Sequence, residues 1–268
     1  MNMKKILAIM TFILVCTGVY AQTMHTLIFV NTQENTEWGG DRTVDRTEDY
    51  NNMKEFFTKI ANSLGYVNDM RAHRLQGDFT QATIDREINN LNIKKNDIVV
   101  FYYSGHGANS SSDIWPSLCL MDNEAYWQTD ILRKLKTRCS INGRIQTKLL
   151  LCIADCCNDV YDGNIRGSFG LEENTLGLKK LFTGFTGRYI ITMSASQKGQ
   201  SSISNYYYGA LFGIALREAI TTKSANQSPT WEDVLELADS LTAKFAKIHG
   251  AIQTPQHSIK ISGDPMDY

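Results

Sequence analysis

The sequence lacks a large net charge of either sign. Its 268 residues include 27 lysines and arginines and 28 aspartates and glutamates, which gives a formal net charge of -1. Proteins that bind nucleic acids or anionic lipid surfaces carry a clear basic excess, because lysine and arginine neutralise phosphate groups. We therefore expect no nucleic-acid partner and no electrostatic attachment to a membrane.

Cysteine is also scarce, with six residues in the chain. Cys16 lies in an amino-terminal apolar stretch, and the remaining five are Cys119, Cys139, Cys152, Cys156 and Cys157. An odd and sparse set of this kind does not make a disulfide framework, even in a compartment that permits disulfides. At least one thiol must be unpaired or bonded to another molecule, so it asks for a functional explanation.

A long apolar stretch occurs at the amino terminus, from Ile6 to Tyr20, and Lys4 and Lys5 precede it. Small residues at its end suit cleavage by a signal peptidase. A membrane anchor usually needs about 20 apolar residues. We therefore expect residues 1–21 to be a cleavable signal peptide, with no stable membrane anchor. Residues 22–268 would then form one exported domain, either periplasmic or secreted.

The rest of the chain shows no internal repeat and no low-complexity linker. Short apolar runs without polar alternation, typical of strands buried on both faces, alternate with stretches of helical periodicity. The expected strands are 25–31, 67–76, 96–103, 148–154 and 188–194, with a hairpin or extension at 113–121 and an edge strand at 253–262. The expected helices are 49–64, 80–91, 129–135, 207–221 and 230–248, with Thr80 and Thr230 as caps. This alternation predicts an α/β fold, a mostly parallel sheet with helices on both faces.

Two of the expected strands end abruptly in polar residues. One is followed by Ser104-Gly105-His106-Gly107, and the other by Asp155-Cys156-Cys157-Asn158. Ligands of open α/β sheets bind just beyond the carboxyl ends of the strands. A cysteine acts as a nucleophile through its thiolate, and histidine is its natural partner because its pKa lies near neutral pH. The sequence therefore predicts a dyad of His106 and a cysteine at the end of the second strand, Cys156 or Cys157.

Glycine beside the histidine suits this interpretation. Gly107 allows the backbone to approach a substrate closely. Its amide and the amide of Cys157 are candidate donors to an oxyanion.

Other interpretations of the two motifs remain. His106 alone could be a turn residue. Cys152 lies inside a strand and is expected to be a small core residue. Successive side chains of a strand alternate between faces, so Cys156 should point away from Cys157 and would be the nucleophile only if the register shifts by one. A zinc site is disfavoured because adjacent cysteines on a strand do not easily reach one ion.

Taken together, Tyr102–Gly107 and Ala154–Asn158 resemble the motifs of caspase-like cysteine peptidases, the clan of caspases, metacaspases, gingipains and clostripain. The interval from His106 to Cys157 fits the caspase spacing of about 50 residues. The caspase signature Gln-Ala-Cys is absent, and the closer match is the metacaspase pattern of a strand ending in Asp-x-Cys. The resemblance implies a caspase-like three-layer fold and a thiol endopeptidase with Cys157 as nucleophile.

The resemblance also implies cleavage after arginine or lysine in protein or peptide substrates. Asp155, beside the nucleophile, would place a carboxylate where a basic side chain can pair with it. Ser104 and Asp49 are further substrate-binding candidates by resemblance. The sequence shows no clear counterpart of the basic pocket that caspases use for aspartate.

No cofactor is expected to be required, and no metal ligands are assigned. Calcium activates many metacaspases, so the resemblance leaves calcium activation open. The acidic residues Asp159, Asp162, Glu172 and Glu173 match no EF-hand spacing.

The segment after the nucleophile departs from the family. Metacaspases usually continue with His-Ser-Gly, whereas this chain has Asn158-Asp159-Val160. This departure favours an alternative, a catalytically inactive caspase-like module for binding or scaffolding.

The segment 159–180 also predicts self-processing. It is rich in glycine at its start, and Arg166, Lys179 and Lys180 lie where related enzymes are cut. Exposed glycine-rich loops are preferred nicking sites.

Overall fold

The structure, a computed structural model, describes residues 21–32, 43–74, 79–120, 125–158, 175–205 and 209–262. The helices in these ranges are α1 Thr43–Leu64, α2 Gln81–Asn89, α3 Gln128–Arg138, α4 Thr175–Thr183, α5 Leu211–Ser224 and α6 Trp231–Ile248. The strands are β1 Thr23–Val30, β2 Val67–Arg74, β3 Ile98–Ser104, β4 Gly107–Ala108, β5 Ser117–Cys119, β6 Ala125–Trp127, β7 Ser140–Ile141, β8 Arg144–Ile145, β9 Leu149–Asp155, β10 Tyr189–Ser194, β11 Ser204–Asn205, β12 Gly209–Ala210 and β13 Gln256–Ile261.

Six strands form the main sheet, in the order β13-β10-β9-β3-β1-β2. All neighbours run parallel except the edge strand β13, which is antiparallel to β10. The predicted mostly parallel sheet is therefore confirmed. β3 and β9 are hydrogen-bonded neighbours at its centre, so their carboxyl ends meet at one edge of the sheet.

Helices cover both faces of this sheet, as predicted. Every residue of β3 and of β9 is buried. On one face Ile28, Tyr102 and Ile153 pack against α1, α4, α5 and α6. On the other face Tyr103 and Ala154 pack against α2 and α3. Burying one large apolar side chain contributes roughly 1.5–3 kcal/mol, so the two cores fix the strand ends firmly.

Two helix starts follow from local sequence. The Thr80 hydroxyl accepts a hydrogen bond from the Thr83 amide at the start of α2. At the start of α6 the Thr230 hydroxyl accepts from the Asp233 amide at 3.1 Å and donates to the Asp233 carboxylate at 2.7 Å. Both predicted caps are confirmed. Each contributes about 1 kcal/mol to helix stability.

Two helices differ from the expectation. α1 begins at Thr43, so Asp49 lies inside the helix and not at its start. The preceding residues are polar and carry no apolar periodicity, which is why the pattern placed the start too late. The helix α4 was not predicted, although Leu178, Leu181 and Phe182 have helical spacing and are buried.

The segment 113–121, expected to be a hairpin or an extension, contains the single short strand β5, which pairs with β4 and β6 in a small antiparallel sheet. No helix within the described residues is long and apolar enough to cross a membrane. Residues 1–20 lie outside the described ranges, so the signal peptide stays a prediction.

Candidate active site

The ends of β3 and β9 leave the sheet side by side. Ser104 is opposite Asp155 in the parallel register. One residue further on, the Gly105 amide donates to the Asp155 carbonyl at 3.3 Å. The segment that carries His106 therefore starts beside the segment that carries Cys157.

Gly107 makes the closest approach between the two segments. A Cβ atom placed on it would lie 2.4 Å from the Cys156 sulfur and 2.5 Å from the Cys157 carbonyl oxygen. Both distances are too short for a real side chain, so only glycine fits here. His106, its neighbour in sequence, is thereby brought to the Cys157 segment, as the strand pattern predicted.

The register of β4 also orients the Gly107 amide. The Cys119 amide donates to the His106 carbonyl at 2.9 Å, so His106 and Cys119 form a hydrogen-bonded antiparallel pair. Gly107 and Leu118 are then the next, non-hydrogen-bonded pair, in which both N–H groups point away from the partner strand. The Gly107 amide is directed away from β5, as a donor to a substrate oxygen has to be.

The three cysteines of the β9 motif differ in access. Cys157 is half-buried, and its sulfur accepts from the Ser202 amide at 3.3 Å. Cys156 is only 1% exposed and belongs to the core beneath α2 and α3. Burial raises the pKa of the Cys156 thiol well above its ordinary value, and it raises the pKa of Cys152 to about 12. The geometry therefore favours Cys157 over Cys156 as the reactive thiol.

Asn158 follows Cys157 directly, and it is fully buried. Its side-chain oxygen accepts a hydrogen bond from the side-chain nitrogen of Asn109 at 2.8 Å. Its side-chain nitrogen lies 2.9 Å from the Ile114 carbonyl and 3.2 Å from the Ser196 carbonyl. The residue thus ties two loops, the one between β4 and β5 and the one after β10, to the chain immediately after Cys157. The sequence shows the identity of Asn158 but neither its burial nor its partners.

A buried acidic cluster lies on the α1 side of the same sheet edge. The Tyr102 hydroxyl is 2.7 Å from an Asp49 carboxylate oxygen and 3.3 Å from one of Asp155. Asp155 also accepts from the Gly213 amide at 2.8 Å and from the Ser202 hydroxyl at 3.2 Å. The two substrate-binding candidates Asp49 and Asp155 are therefore brought together on one phenol. Tyr102 belongs to the Tyr102–Gly107 motif. Because side chains alternate between faces along a strand, it lies on the same face of the sheet as Asp155.

The electrostatics of this cluster follow from burial. Burial, and then repulsion from Asp49, raises the pKa of Asp155 well above that of an ordinary carboxyl. Burial and the two carboxylates raise the pKa of the Tyr102 phenol as well. Ser104, the third substrate-binding candidate, is buried, and its side chain opposes part of the rise in the pKa of this phenol. A proton or a cation that enters the cluster relieves the repulsion.

Arg217 lies close enough to affect the same cluster. It follows Gly213 by one turn of α5, and its Nε donates to the Gly213 carbonyl at 3.3 Å. Burial lowers its pKa, while Asp49 and Tyr102 oppose that shift. One basic side chain of the protein therefore already offsets part of the negative charge.

Arg46 contacts the candidate histidine, a feature with no sequence signal. Its guanidinium Nη2 lies 2.9 Å from His106 Nε2, and its Nη1 donates to the Asn31 carbonyl at 3.3 Å. The side chain is 8% exposed. Arg46 lies in the first turns of α1, ahead of the expected helix 49–64.

Metal ligands were not assigned from the sequence. Within the described ranges no group of three or more histidine, cysteine, aspartate or glutamate side chains could hold a metal ion. The acidic residues Asp159, Asp162, Glu172 and Glu173 lie outside those ranges, so calcium binding there is untested.

The fold and the site together define a caspase-like α/β protein. The caspase domain family matches residues 35–264 of the chain. The chain belongs to this family of cysteine peptidases.

Two solved structures share the fold. One is caspase-1 from Spodoptera frugiperda, with 13% identity, 92% of each chain covered and a TM-score of 0.57. The other is protein GSU0716 from Geobacter sulfurreducens, with 15% identity, 90% of this chain and 95% of that chain covered, and a TM-score of 0.54. Among curated proteins, none matches this chain significantly in sequence. At these identities the likenesses show the fold alone.

Proposed function

We propose that this caspase-domain protein is an active cysteine endopeptidase with Cys157 as nucleophile and His106 as general acid and base. The observation that carries the proposal is the contact of Gly107 with the Cys157 backbone, which brings the histidine segment to the one accessible thiol of the β9 motif. The fold places both residues at the carboxyl edge of the sheet, where α/β proteins bind their ligands.

In the proposed mechanism the Cys157 sulfur attacks the scissile carbonyl carbon, and His106 receives the thiol proton. The amides of Gly107 and Cys157 donate to the oxyanion, and one such donor is typically worth about 10²–10³ in kcat. His106 then gives the proton to the departing amine, which leaves an acyl-enzyme. Water hydrolyses this thioester with His106 as base, and the thiol is restored. All of these steps use protein groups, and we propose that no cofactor is required.

We propose that the substrate residue before the scissile bond is arginine or lysine. Asp49 and Asp155 are buried and share the Tyr102 hydroxyl, so the cluster gains from an added positive charge. Asp155 is also joined to Cys157 through Ser202, which places this cluster beside the nucleophile. Arg217 supplies one positive charge already, so the preference for a basic substrate depends on how far the pair remains ionised.

Covalent labelling tests the nucleophile and the pocket together. A short peptide with arginine next to a thiol-reactive acyloxymethyl ketone should label wild-type protein on Cys157. Labelling should persist in Cys156→Ala and disappear in Cys157→Ala and in His106→Ala. The same peptide with aspartate in place of arginine should label far more slowly. Labelling that survives Cys157→Ala but not Cys156→Ala would move the nucleophile by one residue.

The alternative function is an inactive caspase-like module that binds peptides. Two observations favour it: Asn158 is held by buried hydrogen bonds at the point where metacaspases usually continue with His-Ser-Gly, and Arg46 contacts His106. Saturable binding of the arginine peptide without any labelling or cleavage would support this module and overturn the peptidase.

We propose self-processing at Arg166, which lies outside the described residues. Lys179 and Lys180 are exposed but lie on the helix α4, so the expectation of a loop through residue 180 is wrong. A peptidase cleft takes an extended backbone, and α4 would have to unfold first. Mass spectrometry of wild type and Cys157→Ala should show cleavage after Arg166 in the wild type alone; identical intact chains would contradict this.

We further propose export after removal of residues 1–21, which predicts a mature amino terminus at Gln22. Amino-terminal sequencing of protein secreted by a bacterial host tests it.

Calcium activation is tested by the cleavage rates of a positional peptide library with added calcium and with a chelator. Equal rates would show that calcium is not needed.

A further inference from the structure

The contact between Arg46 and His106 constrains the proton on the imidazole ring. An arginine side chain has only donors, so Nε2 of His106 must be the acceptor at 2.9 Å. The neutral ring then carries its proton on Nδ1. Arg46 keeps its charge at any physiological pH, and its second contact, to the Asn31 carbonyl, anchors it to the end of β1.

A ring held in this way cannot work as a base. Nδ1 already carries a proton, and Nε2 can take one only if the guanidinium leaves, because two donors would otherwise face each other. This holds whichever ring nitrogen faces Cys157. The proton transfer in the proposed mechanism therefore needs the Arg46 contact to break.

We propose that Arg46 is a positioning residue that holds His106 in a resting tautomer and releases it when a basic substrate side chain binds. The inference rests on the proposed function. It concerns the timing of the reaction, since it makes the general base available only in the presence of substrate.

The placement of Arg46 supplies the coupling to substrate. Arg46 and Asp49 are three residues apart on α1, so they share one face of the helix. Asp49 contacts the Tyr102 hydroxyl, which also reaches Asp155. A cationic side chain that enters this acidic cluster comes within one helical turn of Arg46 and repels it. Binding in the pocket thereby weakens the contact to His106.

Other titratable groups surround the contact. Tyr103 of β3 donates through its hydroxyl to the His106 carbonyl at 2.6 Å, and burial raises its pKa well above the ordinary value. Cys119 pairs with His106 through the backbone from β5, and Cys156 and Cys157 lie against the next residue, Gly107, from the end of β9. Burial raises the pKa of the thiol of Cys119 to about 11. Tyr103 and Cys119 therefore stay uncharged near neutral pH.

The test is the rate at which iodoacetamide alkylates Cys157 in the absence of substrate, read by peptide mass spectrometry from pH 5 to 9. Arg46→Met should raise the rate at pH 7 by about 10- to 100-fold, the range set by one charge-assisted hydrogen bond. It should also raise kcat/KM for an arginine peptide through a lower KM, because substrate binding no longer has to break the contact between Arg46 and His106. Lys54→Met, an exposed lysine of the same helix, is the matched control and should change neither rate.

The outcomes separate the two proposals. In one outcome the wild-type protein is alkylated at Cys157 and cleaves peptide, and Arg46→Met reacts equally fast or more slowly. That result overturns the proposed role of Arg46 but not the proposed peptidase activity. In the other outcome Cys157 is unreactive and peptides stay uncleaved in both the wild type and the variant. That result overturns the proposed function and, with it, the proposed role of Arg46. Arg46→Gln and Arg46→Lys keep the test usable if Arg46→Met does not fold; the glutamine variant should behave as released, and the lysine variant should fall between it and the wild type.

Discussion

Ser202 joins Cys157 to the acidic cluster. Its amide donates to the Cys157 sulfur at 3.3 Å, and its hydroxyl lies 3.2 Å from an Asp155 carboxylate oxygen. Gln253 holds this segment in place, since its side-chain oxygen accepts from the Ile203 amide at 2.9 Å. The position of the candidate nucleophile is thus linked to the group that is proposed to bind the substrate side chain.

Gly107→Ala tests the close approach of the two strand ends. The added methyl group would clash with the Cys156 sulfur and the Cys157 carbonyl, so the ends must separate. We expect a loss of stability of about 1–3 kcal/mol, as for other overpacked sites, and a fall in kcat of more than about 100-fold. Thermal unfolding and peptide cleavage measure the two effects.

Gly143→Ala is the matched control for this change. Nothing lies within 4 Å of a Cβ there, but its φ of +73° is strained for alanine. It should lose stability by about 1 kcal/mol and keep full activity. Equal activity losses in both variants would show that the Gly107 contact is unimportant.

Asp155→Asn is expected to change substrate use. Truncating one partner of a buried charged contact costs roughly 2–5 kcal/mol, so kcat/KM for an arginine peptide should fall by about 100-fold. Asp130→Asn, at an exposed carboxylate on α3, should have no effect. Unchanged cleavage after arginine in Asp155→Asn would remove this residue from the pocket.

The same substitution should alter the dependence of stability on pH. The folded-state pKa of Asp155 is raised, so the folded state binds more protons than the unfolded state between the ordinary carboxyl pKa and the raised one. Its contribution to stability is present at low pH and is lost as the pH rises through that window. Asp155→Asn should therefore be more stable than the wild type at pH 8, with a difference that shrinks towards pH 4. Chemical denaturation at several pH values measures this, and a difference that grows on acidification would contradict it.

Asn158→Ala tests the buried anchor behind the nucleophile. It leaves the Asn109 amide and the carbonyls of Ile114 and Ser196 without this partner. We expect a loss of roughly 1–3 kcal/mol and slower labelling of Cys157. In a double-mutant cycle with Asn109→Ala, the two changes should be clearly non-additive. Additive losses would show that the two side chains act independently.

The five thiols of the described chain should react in a fixed order. Cys157 should be alkylated first and Cys119 more slowly at pH 8, since burial raises the pKa of Cys119 to about 11. Cys139 and Cys152 are buried with pKa values of about 12, and Cys156 is buried as well, so these three should react only after unfolding. Mass spectrometry over a labelling time course gives the order. Early modification of Cys156 would favour it as the nucleophile.

Much of the sheet could be predicted because burial on both faces leaves a plain mark in the sequence. β3 and β9 are uninterrupted apolar runs, and the polar residues after them gave the position of His106 and Cys157. Their adjacency also followed from the resemblance to caspase-like peptidases. The alternation of faces along β9 separated Cys156 from Cys157 correctly in terms of exposure.

The remaining parts of the site depend on contacts that no periodicity records. Arg46 reaches His106 from a helical turn made of polar residues, and Ser202 reaches Cys157 from a segment with no regular structure. Helix α4 is a different case, because the helical spacing of Leu178, Leu181 and Phe182 is visible in the sequence itself. Asn158 was visible in the sequence, but its burial and its partners were not.

The pairing of β3 with β9 has a consequence for the life of the chain before it is folded. His106 and Cys157 come from segments far apart in sequence. They meet only when the long-range parallel pairing of β3 with β9 is complete, and such pairing is among the slower events in folding. In a nascent chain the thiol and the imidazole of the candidate site are therefore still apart. The proposed peptidase activity requires the finished sheet, so the newly made polypeptide should be inert until the sheet has formed.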